Sequence, residues 1–105
     1  MIHHLVLFKL RPEVDDARLE WMMRETRIQL LKISGVLSVK CGRKIFPETE
    51  WPFFLVVECE SLEKLRLYRD DPIHVKFVEE VIKPFTTERL ALDHEMEPGK
   101  DVRYS

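Results

Sequence analysis

Between Tyr68 and Phe77 the chain reads YRDDPIHVKF, which sets a phenol, two carboxylates, a proline and an imidazole close together. A neutral histidine facing a dry pocket can act as a general base toward a proton on carbon beside a carbonyl, and a phenol can donate the hydrogen bond that places such a substrate. His74 and Tyr68 are the candidates for those roles. The competing reading of His74 is a core histidine, hydrogen-bonded at a helix end. Asp71 and Pro72 need no active site, because a carboxylate at the N-cap accepts an orphan N–H and proline suits the first helical position. His74 then falls at the third helical position. There the helix terminus disfavours the imidazolium and the Asp71 carboxylate favours it, so the sequence leaves its protonation open.

The remaining polar candidates are dispersed. His3 and His4 are adjacent on an expected strand, so they point to opposite faces and do not chelate one ion together, and Asp93 beside His94 has the same alternation. A metal site would have to join His3 or His4 to His74, Asp93 or His94 from separate elements. No His-x-Glu, Cys-x-x-Cys or His-x-x-x-His spacing supports one, and no metal or cofactor is expected. Cys41 and Cys59 read as reduced core thiols, although a hairpin centred near Thr49 or Glu50 would leave a cross-strand contact open to them.

These residues must be positioned by a short chain. Residues 2–10 are apolar on both alternating sets, which predicts a strand covered on both faces. Asp15 and Asp16 are N-cap candidates for a helix carrying Leu19, Met22, Met23, Thr26, Leu30 and Ile33 at helical spacing, and Gly35 supplies its stop. Val36–Phe46, with a bulge at Gly42, and the run PFFLVVEC form a hairpin with a longer loop. Ser61 caps a helix over 61–70, Pro72 breaks it, and a second piece puts His74, Phe77, Val78 and Val81 on one stripe until Pro84. Thr86–Met96 is the last strand, and 97–105 is a polar tail. Trp21 and Ile28, opposite the main stripe of the first helix, are candidates for a further contact surface.

At 105 residues this is one domain. The order βαββαβ, with its second helix broken, predicts a ferredoxin-like α+β fold with a four-stranded antiparallel sheet and helices on one face. Strands one and three are apolar on both faces, so the uncovered face calls for a second copy packed sheet to sheet. Net charge is −2, from 17 basic and 19 acidic residues spread along the chain, which leaves no electrostatic footprint for nucleic acid or an anionic membrane. The opening MIHHLVLFKL lacks a basic leader and is interrupted by Lys9, so neither a signal peptide nor a spanning helix is expected, and the location read is cytoplasmic.

The opening MIHHLVLFKL, ISGV at 33–36, SLEKLRLY, DPIHVKF and the closing LDHE, in this order, resemble the stress-responsive A/B barrel domain (Dabb) family, a branch of the dimeric α+β barrels. The resemblance covers residues 1–96. It implies a homodimeric α/β barrel whose two sheets enclose a space. Cyclase-type members close aromatic polyketides with a tyrosine and a histidine at the positions of Tyr68 and His74. It further implies that His4, Val6, Phe8, Phe53, Leu55 and Val57 share the sheet face lining the enclosed space. Two departures stand out: Asp71-Pro72-Ile73-His74 where members commonly carry His-Pro-x-His, and His94 where tyrosine is usual. The function implied is a homodimer with a pocket for a hydrophobic or aromatic small molecule, with polyketide-cyclase-like or lyase-like acid/base chemistry. The alternative is a noncatalytic ligand-binding or stress-related interaction module, since families keep scaffolds while changing chemistry.

Overall fold

A computed structural model describes residues 1–102. Its elements are β1 (Ile2–Leu10), α1 (Asp16–Leu30), β2 (Val36–Arg43), β3 (Phe53–Cys59), α2 (Leu62–Asp70), α3 (Pro72–Phe77), a π-helical turn (Val78–Ile82) and β4 (Thr86–Glu95). The sheet order is β2-β3-β1-β4, with all neighbours antiparallel, which is the ferredoxin-like arrangement. Of the expected tail, 97–105, the described part carries a 3-10 turn at Pro98–Lys100, and residues 103–105 lie outside the described residues.

Alternation along the central strand divides the sheet into two faces. Ile2, His4, Val6 and Phe8 are buried beneath the helices, opposite Cys59, Val57, Leu55 and Phe53 of β3. Over them lies α1, started by Asp15, whose side chain accepts from the Arg18 N–H at 2.8 Å. Its stripe of Leu19, Met22, Met23, Thr26 and Leu30 is buried. The fully buried Thr26 hydroxyl donates to the Met22 carbonyl at 2.7 Å and so leaves no orphaned polar group in the core. Gly35 follows at φ +88°, a conformation that glycine adopts at no steric cost.

The odd-numbered residues of β1 face away from the helices. Leu5 and Leu7 lie beside Val56 and Phe54 of β3 and Leu92 and Leu90 of β4, forming an apolar face that no helix covers.

The hairpin differs from expectation in two places. β2 ends at Arg43 rather than Phe46, because Pro47 and Pro52 remove ladder donors and Ile45 and Phe46 are exposed with nothing to pack against. Its irregularity lies between Val36 and Ser38 rather than at Gly42. Gly42 pairs regularly with Phe54, and a Cβ there would lie 2.7 Å from Phe54 Cε1, so the glycine makes room for that ring. The register also separates the two thiols: Cys41 stands opposite Leu55, and Cys59 opposite Val36 and Ile2.

Trp21, expected at a contact surface with Ile28, instead packs edge-to-face against Phe85 at 5.9 Å under Arg18, while Ile28 alone stays exposed.

Candidate functional site

The break between α2 and α3 builds the site. Asp71 caps α3 by accepting from the Ile73 N–H at 2.8 Å, with Pro72 at the first helical position. In an unbroken helix the Ile73 N–H would bond to the Arg69 carbonyl. The cap diverts it, and that carbonyl receives His74 Nδ1 at 3.0 Å instead. A carbonyl only accepts, so Nδ1 carries the proton and Nε2 keeps its lone pair. Burial holds His74 below its ordinary 6.5, outweighing the backbone hydrogen bond to Arg69 and the Asp71 carboxylate; His4 and Arg89 lower it further. The imidazole is therefore neutral at pH 7.

Its ring lies 4.5 Å from that of Tyr68, which is 1% exposed, and the His4 ring packs edge-to-face with Tyr68 at 5.9 Å. Burial, followed by the nearby Cys59 thiol, raises Tyr68 far above an ordinary phenol, so it remains a hydrogen-bond donor. His4 donates from Nδ1 to Asp93, directly opposite on β4, and Asp93 accepts from Arg69 at 3.3 Å. The three residues tie β1, β4 and the end of α2 together.

These groups border a cavity of about 430 Å³ between helices and sheet, lined by His4, Val6, Phe8 and Leu55 below and by Tyr68, His74, Phe77, Val78 and Ile82 above, with Arg69, Arg89 and Ala91 at its margin. The π-helical turn brings Val78 and Ile82 to this wall; such local widenings recur at functional sites.

The structure thus brings together His74, Tyr68, His4, Val6, Phe8 and Leu55. Phe53 and Val57 are fully buried and stand outside the cavity wall, with Phe53 stacked on Phe8 at 5.3 Å. The whole set was expected to line a space between two sheets, but it lies on the face that the helices cover, because α1 to α3 pack on the even-numbered side of β1. The space is therefore inside the protomer.

Arg69, Arg89 and Asp93 were not anticipated as a group. Local spacing could not show them, yet the antiparallel register of β1 with β4 sets His4 against Asp93 and Phe8 against Arg89. Among the described residues no group of three or more His, Cys, Asp or Glu side chains is gathered for a metal ion. Burial also raises both thiols above their ordinary 9.0, which leaves them poor nucleophiles at neutral pH. Among the described residues, no helix is long and apolar enough to cross a membrane.

Comparison with known proteins agrees with this architecture. The profile of the Stress responsive A/B Barrel Domain family matches residues 2–96. A stress-response A/B barrel domain-containing protein of Arabidopsis thaliana is 28% identical over 95 residues, which is 89% of this chain and 36% of that protein's length. The chain thus spans about a third of that curated relative. A dimeric protein of unknown function with a ferredoxin-like fold from Bacteroides fragilis is 25% identical, with a TM-score of 0.74 over 90% of this chain and 95% of its own. The hydroxynitrile lyase of Passiflora edulis shares the fold at 12% identity, with a TM-score of 0.78 over 91% of this chain and 93% of its own.

Proposed function

This chain belongs to the stress responsive A/B barrel domain family, and on that footing we propose that it binds a hydrophobic or aromatic small molecule inside the protomer and moves a proton on it. The observation that carries the reading is the state of His74. It is neutral, fixed through Nδ1 by a carbonyl that the Asp71–Pro72 break sets free, and set against the Tyr68 phenol at the wall of a cavity of about 430 Å³. A base needs a lone pair, and Nε2 has one. The developing oxyanion of an enolate needs a donor, and the protonated Tyr68 hydroxyl supplies it. The apolar floor of Val6, Phe8 and Leu55 gives the body of such a ligand an apolar surface to lie on.

The test is isotope exchange. Aryl ketones incubated in D₂O should lose the protons beside their carbonyl faster with the protein than without it, as followed by NMR. His74→Gln should lower the exchange by about 10²-fold or more, the usual scale of a positioned general base. Exchange unchanged in His74→Gln would remove His74 from that role, and binding of the same ketones without any exchange would favour a noncatalytic carrier.

The molecule is further proposed to work as a homodimer joined through the open face of the sheet. Leu5, Leu7, Phe54, Leu90 and Leu92 lie side by side there as partly or fully exposed apolar side chains around the buried Val56, on a face that calls for a partner. The Bacteroides fragilis protein of the same fold is itself dimeric.

A further inference from the structure

The cavity has a charge pattern that proton transfer on a neutral ketone does not require. Its wall carries two guanidiniums, Arg69 and Arg89, and no acidic side chain. Arg69 is committed to Asp93 at 3.3 Å. Among the described residues no carboxylate lies within ion-pair distance of Arg89. Arg89 stands on the helix-covered face of β4, opposite Phe8, close enough to His74 to act on its charge.

A second hollow of about 350 Å³ continues outward from the cavity and shares Arg69, His74, Val78, Ile82 and Arg89 with it. The acidic side chain on that outer wall, Glu79, is held by Lys83 at 2.6 Å. The chain as a whole has a net charge of −2, so this positive margin is local and does not reflect the composition. The result is an apolar chamber that opens past an uncompensated guanidinium, an arrangement matched by a ligand with an apolar body and an anionic end.

We propose that the ligand of this cavity is an apolar acid whose carboxylate or phosphate is held by Arg89 at the mouth while its body lies over Val6, Phe8 and Leu55 beside Tyr68 and His74. This rests on the pocket reading above and specifies the class of molecule that the pocket takes. Arg89 acts here as a specificity-determining residue. A neutral molecule of the same body gains only the apolar contacts.

The experiment compares 4-phenylbutanoate, 4-phenylbutyl phosphate and 4-phenylbutan-1-ol, which share a body and differ in the head group, by calorimetric titration of the wild type, Arg89→Gln and Arg89→Lys. The wild type should bind at least one of the two anions about tenfold or more tightly than the alcohol, the scale of one charge-assisted hydrogen-bonded pair. The preference should weaken with added salt, vanish in Arg89→Gln and persist in part in Arg89→Lys. Whichever anion binds more tightly identifies the head group.

Equal binding of the three compounds, no binding of either anion, or a preference unchanged in Arg89→Gln would overturn the proposal. The alcohol bound as well as the acids, with isotope exchange intact, would sink this inference alone. An anion preference without isotope exchange would sink the base role of His74 and leave this inference standing.

Discussion

His74 and Tyr68 have opposite relations to pH. The folded state holds His74 below 6.5, so the unfolded chain binds the extra proton first. Stability should therefore fall as pH drops through 6.5, and level off once the folded imidazole also protonates. Thermal melts from pH 8 to pH 5 check this, and His74→Gln should flatten that part of the curve. Tyr68 is raised above 10, so its contribution to stability is intact below pH 10 and declines above it as the unfolded phenol ionises. In the exchange assay Tyr68→Phe should lose about tenfold or more, because one donor to a developing charge is removed while the ring's packing against His4 and His74 is kept.

The chemistry of these two residues was legible in YRDDPIHVKF because their types and spacing are local. The tautomer of His74 was not, since it depends on the Arg69 carbonyl that the Asp71–Pro72 break releases. Arg89 and Asp93 were illegible for a different reason: strand pairing with β1 brings Arg89 to the cavity and Asp93 to His4 behind its wall.

At the scale of the element, the Asp71–Pro72 break does two tasks. It starts α3, and it orients His74. Asp71→Ala should cost about 1 kcal/mol as a lost N-cap, lowering the melting temperature by about 4–8 °C in a domain of this size. Pro72 keeps residue 71 extended in that variant, so the Arg69 carbonyl should stay with His74 and exchange should fall no further than the stability loss explains. Circular dichroism melts and the isotope assay on the same sample check both.

Gly42→Ala should push the Phe54 ring out of its place, destabilising the hairpin and disturbing the open face together. Glycine in the pattern VLSVKCGR suggested a bulge, yet its cause is a ring arriving from the neighbouring strand. The capped starts at Asp15, Ser61 and Asp71 were readable from side-chain chemistry alone, and each accepts the N–H that its position predicts. The π-helical turn had no local signature in VEEVI.

At the scale of the whole molecule, apolar alternation on both faces of β1 foretold a sheet that its own helices cannot fully cover, and the open face of Leu5, Leu7, Phe54 and Leu92 is that surface. Sedimentation at micromolar concentration should give a dimer, and Leu92→Glu should give a folded monomer; a wild-type monomer would remove the need for a second copy. Alternation could not say which face the helices take. The cavity therefore lies on the opposite side of the sheet from the one expected, inside each protomer and away from the proposed dimer surface. A monomeric Leu92→Glu variant should accordingly retain its ligand preference, since His4, Tyr68, His74 and Arg89 all come from one chain. The proposed chemistry turns on His74 being a neutral base held through Nδ1. The most direct measurement is a pH titration of the His74 ring nitrogens by ¹⁵N NMR: the expected result is a proton on Nδ1, a bare Nε2 at pH 7 and a midpoint below 6.5, and an Nε2-protonated ring or a midpoint above 6.5 would contradict it.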